Sequence, residues 1–203
     1  MSLPRPKKLS FEGLHLTDAG LRAQVAQGHL AADVGDLTLD GNGLSARAVE
    51  ALEGVRFQAL VTLSLGANRL GDAGATALSK WPALRGLRTL SLAENELTSA
   101  GAAALVAEGS TLVGLWGLNL SGNAVGDAAA RAIVASPHVG LLQVLNLEKT
   151  GLTDVGASLL AGAPALENLR TLYVGSNALS SAGRQALQGS PHLRACRVDF
   201  GEP

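Results

Sequence analysis

Four aspartates recur at matching positions along this 203-residue chain, each beside the start of an apolar segment, and they are the first candidates for acid–base chemistry. Paired carboxylates can act as a general acid and a general base when their surroundings hold their pKa values apart. A carboxylate at the start of a helix instead complements the positive end of the helix dipole. We therefore interpret the row as helix caps and not as catalytic pairs; it comprises Asp18, Asp72, Asp127 and Asp154.

The other residue types that carry chemistry are scattered. The sequence has no Gly-x-Ser-x-Gly, His-Glu-x-x-His or Gly-Lys-Ser/Thr motif and no cysteine pair at metal-binding spacing. The nearest approach to a dinucleotide-binding motif, Gly41-Asn42-Gly43, belongs to a turn that recurs along the chain. His138 and His192 both follow Ser-Pro, and His15 follows the first predicted strand. The sequence thus predicts no catalytic residue, no metal site and no cofactor, in a protein that is not an enzyme.

The strands and helices that hold these residues are predicted by one sequence motif, Leu-x-Leu-x-x-Asn-x-Leu, which recurs along nearly the whole chain. It runs from Leu63 to Leu70 and from Leu90 to Leu97, followed at intervals of four by a small residue and an aliphatic one. A period of 24 to 28 residues predicts a solenoid in which each repeat contributes one strand. The slot of the first leucine holds Leu9, Leu37, Leu63, Leu90, Leu118, Leu145, Leu172 and, in the last copy, Cys196.

Two further positions of the repeated motif predict the turn and the helix of each repeat. Five of seven copies keep asparagine, whose side chain can satisfy backbone groups of a sharp turn, so stacked copies should form a ladder. The small residue is glycine or alanine, and the residues before it are mostly of types that cap helix N-termini. Each repeat is therefore a strand, a turn, a helix and a return loop. The asparagine slot reads Leu14, Asn42, Asn68, Asn95, Asn123, Thr150 and Asn177.

This pattern resembles the leucine-rich repeat family, specifically its ribonuclease-inhibitor-like class, in which a full helix follows every strand and carries glycine in its first turn. The resemblance covers residues 7 to 200. It implies an α/β leucine-rich repeat solenoid, a curved horseshoe with a parallel sheet on the concave face and helices on the convex face. About seven repeats and a terminal strand are expected.

Members of the family include inhibitors of ribonucleases, activators of the small GTPase Ran and ligand-sensing modules of innate immune receptors, which share a curved protein-binding surface. The resemblance implies a non-catalytic protein–protein interaction module that binds a partner on its concave face. The alternative is a regulator of an enzyme, such as a GTPase-activating protein or an inhibitor.

We expect residues 1–203 to form a single domain. The first repeat has Leu14 in place of asparagine and Gln24 in the aliphatic slot, and Pro4 and Pro6 precede it. Residues 1–30 should therefore form an N-terminal cap that discourages edge pairing. Residues 188–203 should form a C-terminal capping strand.

Charge and composition predict where the chain resides. A net charge of −1 and a pI near 6.4 give no general attraction to nucleic acid or to an anionic membrane. The apolar stretches are shorter than the roughly 20 residues that span a bilayer, and residues 1–12 lack the apolar run of a secretory signal. We expect a cytoplasmic monomer, and the excess of arginine over lysine, 12 to 4, favours a bacterial source.

The concave face can be read by numbering each strand, with the Leu-x-Leu pair at places four and six and the asparagine slot at place nine. Places three, five and seven then point outward, and place two lies at the strand entry. The place-five row is small and polar until Tyr173. In the place-two row, Arg170 should stand beside Arg194, because neighbouring rungs are about 4.8 Å apart. Acidic residues such as Glu94 and Glu148 lie on the exit side, so we expect one basic and one partly acidic edge.

The residue types at the basic edge allow two interpretations. Trp, Tyr and Arg are enriched in interface hot spots, and aromatic residues make up only 3% of this chain, so the edge is a candidate binding patch for a protein with an acidic surface. Alternatively, these are ordinary solvated charges, with Trp116 covering an edge of the core. The predicted partner-binding residues are Arg88, Trp116, Arg170, Tyr173, Arg194 and Arg197.

Overall fold

The computed structural model describes residues 7–201, and over that range the chain alternates strands and helices. The strands are β1 (Lys7–Ser10), β2 (Val34–Thr38), β3 (Thr62–Ser64), β4 (Thr89–Ser91), β5 (Gly117–Asn119), β6 (Val144–Asn146), β7 (Thr171–Tyr173) and β8 (Arg197–Asp199). The helices are α1 (Asp18–Ala26), α2 (Ala46–Glu53), α3 (Gly71–Lys80), α4 (Ser99–Val106), α5 (Gly126–Ala135), α6 (Asp154–Ala161) and α7 (Ser181–Gln188). Short 3-10 helices at Pro82–Gly86, Val139–Leu141 and Pro164–Leu166 lie in return loops.

All eight strands form one open parallel sheet, in which each strand pairs with the next one along the chain. Successive helices pack beside one another on one side of this sheet, so the predicted α/β solenoid of seven repeats and a terminal strand is confirmed. We call the opposite surface the sheet face. None of the helices within residues 7–201 has the length and apolar composition that a bilayer-spanning helix needs.

The strand register agrees with the sequence in seven strands and differs in the last. Leu9, Leu37, Leu63, Leu90, Leu118, Leu145 and Leu172 lie side by side as predicted. In β8, however, Val198 and not Cys196 pairs with Leu172. The predicted slot was wrong because buried Leu193 anchors the preceding loop and leaves Cys196 at the strand entry. Each residue of the terminal strand therefore lies two places earlier in the numbering than the sequence predicted.

The core lies between the sheet and the helices and grows with each repeat. In the third repeat the places four and six hold Leu63 and Leu65, and α3 contributes Ala75 and Leu78, all with no exposed surface. The same inward pattern recurs in every later repeat up to β7. The stability of such an array is the sum of the stability of each repeat and of its contacts with adjacent repeats. A middle repeat is therefore stabilised by a neighbour on each side.

The predicted asparagine ladder is confirmed and links each repeat to its predecessor. The Asn68 carbonyl oxygen accepts hydrogen bonds from the backbone N–H groups of Asn42 and Leu44, at 3.1 and 2.9 Å. Its amide nitrogen donates to the carbonyls of Leu39 and Leu65, at 3.0 and 2.8 Å. Buried Asn95 and Asn123 repeat this arrangement. The asparagines therefore satisfy backbone groups of the turns after β2, β3, β4, β5 and β7 and link neighbouring repeats.

The aspartate row is a capping row, as predicted, but each carboxylate caps the helix of the next repeat. Asp72 of α3 accepts hydrogen bonds from the backbone N–H and hydroxyl of Thr98, at 2.8 and 2.6 Å, and from the Gly101 N–H, at 2.9 Å. Thr98 is the N-cap residue of α4. A side chain on Gly101 would collide with the Asp72 carboxylate, which explains the glycine in this slot. We call these links clasps; the four are Asp18–Ser45, Asp72–Thr98, Asp127–Thr153 and Asp154–Ser180.

Two boundaries between repeats have a different turn. Helices α3 and α5 begin at Gly71 and Gly126, whose φ angles of 56° and 55° lie in the left-handed region that favours glycine. Neither helix has a side-chain N-cap hydrogen bond. Clasps therefore join the first repeat to the second, the third to the fourth, and the fifth through the seventh, and two boundaries lack them.

The clasps predict an acid-sensitive component of stability. Burial of the Asp72 carboxyl raises its pKa, but the hydrogen bonds from Thr98 and Gly101 outweigh this effect and leave the pKa below its ordinary value. The resulting stabilisation is present above the ordinary pKa of about 3.9 and is lost as the pH falls through the lower pKa of the folded protein. Asp72→Asn should therefore flatten the acid side of the stability profile, measured as urea midpoints between pH 7 and pH 2. Parallel profiles for both proteins would contradict this prediction.

The first repeat departs from the others in the way its sequence indicates. Leu14, in the asparagine slot, is 60% exposed, and Gln24 is half-buried on α1. The Asn42 amide instead reaches back to the Phe11 carbonyl, and its oxygen accepts the Leu16 N–H. Pro4 and Pro6 lie outside the described residues, as do residues 202–203 of the expected C-terminal cap, so both caps stay predictions.

Candidate functional site

A groove of about 550 Å³ crosses the sheet face from β4 to β7. Its outward side chains come from places two, three and five of neighbouring strands, which the parallel register aligns. Trp116 and Val144 are 48% and 40% exposed, although tryptophan and valine side chains are on average well buried. The lining comprises Thr89, Leu90, Trp116, Gly117, Leu118, Asn119, Gln143, Val144, Asn146 and Tyr173.

The aromatic wall of the groove is fixed by an arginine. The Arg88 guanidinium carbon lies 5.1 Å from the centre of the Trp116 ring, within the range of a cation–π interaction. Arg88 Nη1 also donates a hydrogen bond to the Gly114 carbonyl, at 2.8 Å. Two contacts thus orient the guanidinium beside the ring, and the wall offers an apolar plane next to a positive charge.

Polar groups at place five form the floor. Asn119 and Asn146 each accept a hydrogen bond from a backbone N–H two residues later, at 3.0 and 2.9 Å. The Asn146 amide nitrogen also donates to Glu148, at 3.2 Å. These bonds hold the amide planes in place on the sheet face. The floor therefore combines positioned amides with the apolar surface of Val144.

The structure brings together three of the six predicted partner-binding residues. Trp116 and Tyr173 line the groove, and Arg88 joins it through Trp116. Arg170 is exposed at place two of β7, where its N–H donates to the Gln143 carbonyl, so it flanks the groove on the C-terminal side. The place-two row across the site is thus Arg88, Trp116, Gln143 and Arg170.

The other two predicted residues lie elsewhere because the last register differs. Arg194 is exposed in the loop before β8, and the place-two neighbour of Arg170 is Cys196, so the predicted Arg170–Arg194 pair was wrong. Arg197 lies at place three, not five, and pairs with Asp199 at 3.1 Å. Burial raises the pKa of the Cys196 thiol. The C-terminal part of the expected basic edge is therefore dispersed.

Acidic residues on the exit side are partly engaged in the fold. Asp40 accepts hydrogen bonds from the Ser64 hydroxyl and the Gly66 N–H, at 2.8 and 2.7 Å. Glu94 is exposed and lies over Gly122, where an added Cβ would come within 2.6 Å of the Glu94 side chain. Among residues 7–201 no three acidic, histidine or cysteine side chains are grouped so as to hold a metal ion.

The other tryptophan, Trp81, directly follows α3 and is not part of the groove. Trp81 is 3% exposed and packs edge-on against Phe57, with ring centres 5.9 Å apart. The sequence analysis did not single out Gly117 and Val144, which line the groove on its two middle strands. The sequence did contain a signal for them. The outward place three holds threonine in β3, β4 and β7, but glycine in β5 and valine in β6.

Comparisons with known proteins show the family of the chain and a solved structure with a similar fold. Five segments match a family model described as a leucine rich repeat: residues 58–79, 85–106, 118–134, 141–161 and 165–187, just over half of the chain. No curated protein sequence matches the chain. A solved structure of an internalin from Listeria monocytogenes is similar, with 18% identity and a TM-score of 0.55 over 85% of this chain and 49% of that one. The chain thus spans about half of that internalin, and the likeness shows the fold.

Proposed function

The chain belongs to the leucine-rich repeat family, and from that premise we propose that it is a protein-binding module whose partner docks on the sheet face. The groove around Trp116 is the observation that carries this proposal. A half-exposed tryptophan with an arginine fixed beside it has the residue types and the geometry of an interface hot spot. A complete α-helix after each of the first seven strands supports the ribonuclease-inhibitor-like class.

The charges of the site favour a partner with acidic groups. Ion pairs among the described residues are Lys8–Asp36, Arg22–Glu50 and Arg197–Asp199, so neither Arg88 nor Arg170 is neutralised by a carboxylate within that part of the chain. A carboxylate of the partner near these guanidinium groups would form charge-assisted hydrogen bonds. The partner is thus proposed to be a protein that presents acidic and apolar groups together.

The test is capture of a partner by the immobilised protein from a lysate of the source organism. Trp116→Ala should weaken binding by about 2 kcal/mol, or roughly 30-fold, and Arg170→Glu should abolish capture by charge reversal. Capture should also weaken as salt rises past about 0.15 M, where the screening length is about 8 Å.

Arg131→Glu on α5 is the matched control, because it changes the net charge equally on the helix side. Equal losses from Arg170→Glu and Arg131→Glu would show only a nonspecific charge effect and would contradict a specific role for Arg170. A loss from Arg131→Glu alone would move the site to the helix side. A regulator of an enzyme would use the same surface, and the identity of the captured protein separates it from a simple scaffold.

A further inference from the structure

Gly117 lines the groove and contributes no side chain to it. This residue is at place three of β5, between Thr89 and Val144 on the adjacent strands, and its φ does not lie in the left-handed region. The atoms nearest to an added Cβ would be those of the Thr89 side chain, at 3.4 Å or more, which is ordinary contact. Neither backbone geometry nor packing therefore requires glycine here, although glycine within a strand is unfavourable.

The space above Gly117 has apolar walls. The exposed Trp116 ring precedes it, Val144 lies across the next rung, and the Thr89 methyl group faces it from the other side. Val113 and Leu141, in the segments that lead into β5 and β6, are also exposed, at 42% and 50%. A large apolar side chain of a partner would bury this surface, at about 25 cal/mol per Å².

Building on the proposed function, we infer that the sheet face binds an extended segment of the partner, which places a large apolar side chain over Gly117 and a carboxylate near Arg88 or Arg170. The groove crosses four strands spaced about 4.8 Å apart, a span of roughly 15 Å. An extended segment of about five residues covers that distance at 3.3 Å per residue. The place-two row puts a positive charge at each end of this span, with Trp116 and Gln143 between them.

The experiment starts from a displayed library of random 12-residue peptides and selects those that bind the full chain. Enriched peptides should share a large apolar residue near an aspartate or glutamate, and should protect Trp116 from acrylamide quenching. Gly117→Val should weaken their binding at least about tenfold by filling the space, since one or two methyl groups in an apolar pocket have effects of this size. Valine favours strands, so the melting temperature should not fall.

Thr62→Val is the matched control, because it puts valine at place three of β3, outside the groove. Gly117→Thr, which gives β5 the residue type found at place three of β3, β4 and β7, serves as a second filling variant if the valine variant fails to fold. Enriched peptides that bind the filling variants as tightly as the original chain would overturn the apolar site, while leaving the sheet-face proposal to the capture experiment. Failure to enrich any peptide would overturn the extended segment as the occupant.

Discussion

Replacing Asn123 by alanine should lower the free energy of unfolding by about 3 kcal/mol, because it leaves several buried backbone groups without partners. The Asn123 amide nitrogen donates to the carbonyls of Leu92 and Leu120, at 2.8 and 2.9 Å. Its oxygen accepts the N–H groups of Asn95 and Leu97, at 2.9 and 3.0 Å. Only 2% of Asn123 is exposed, so water cannot replace these bonds. Urea denaturation at neutral pH measures the loss.

Ser91→Ala on the sheet face of β4 is the control for this change. Its side chain points outward at place five, and an outward substitution of this kind should alter stability by no more than about 0.5 kcal/mol. If Ser91→Ala proved the more damaging of the two, the ladder would not be a principal link between repeats.

Replacing Gly101 by alanine should cost about 2 kcal/mol, even though alanine is the better helix former. The new methyl group would collide with the Asp72 carboxylate and push it away from Thr98. The clasp between the third and fourth repeats would then be lost along with its three hydrogen bonds. Thermal and urea unfolding should both register the change.

A double-mutant cycle separates the collision from other effects. In the background of Asp72→Ala the same Gly101→Ala change should cost much less, because the obstructing carboxylate is gone and only the close contacts with the Cα of residue 72, at 3.2 Å, and the Ala75 Cβ, at 3.3 Å, remain. Gly109→Ala, at a loop position with open space around it, should have little effect. Additive costs for Asp72→Ala and Gly101→Ala would show that the glycine is not there to admit the carboxylate.

Most of the fold could be predicted because a repeated pattern constrains every copy at once. The Leu-x-Leu pairs gave the correct register from Leu9 to Leu172. The last strand was misassigned because an apolar cysteine matched the slot by residue type, whereas the strand position depends on how Leu193 packs before it. The spacing of 24 residues to Cys196 was the shortest in the chain, and the 26 to Val198 falls in the range of the others.

The site was harder to predict than the fold because it depends on neighbours across strands. Residue types were sufficient to single out Trp116 and Tyr173, which the groove does bring together. Gly117 also lines the groove, but it lacks a side chain, and a search for hot-spot residue types does not find a glycine. Charge pairing is also a matter of geometry: Arg197 has a carboxylate partner in Asp199 that its place in the sequence alone did not indicate.

The uneven distribution of the clasps determines how such a chain can be lengthened or shortened by design. An aspartate in one repeat needs the hydroxyl and the glycine of the next, so a single repeat cut out or copied alone separates halves of one bonded unit. The boundaries that begin with Gly71 and Gly126 carry no such dependency. The block between these two glycines is therefore two repeats, the 55 residues from Gly71 through Val125, and insertions of this whole block at either glycine keep every carboxylate matched.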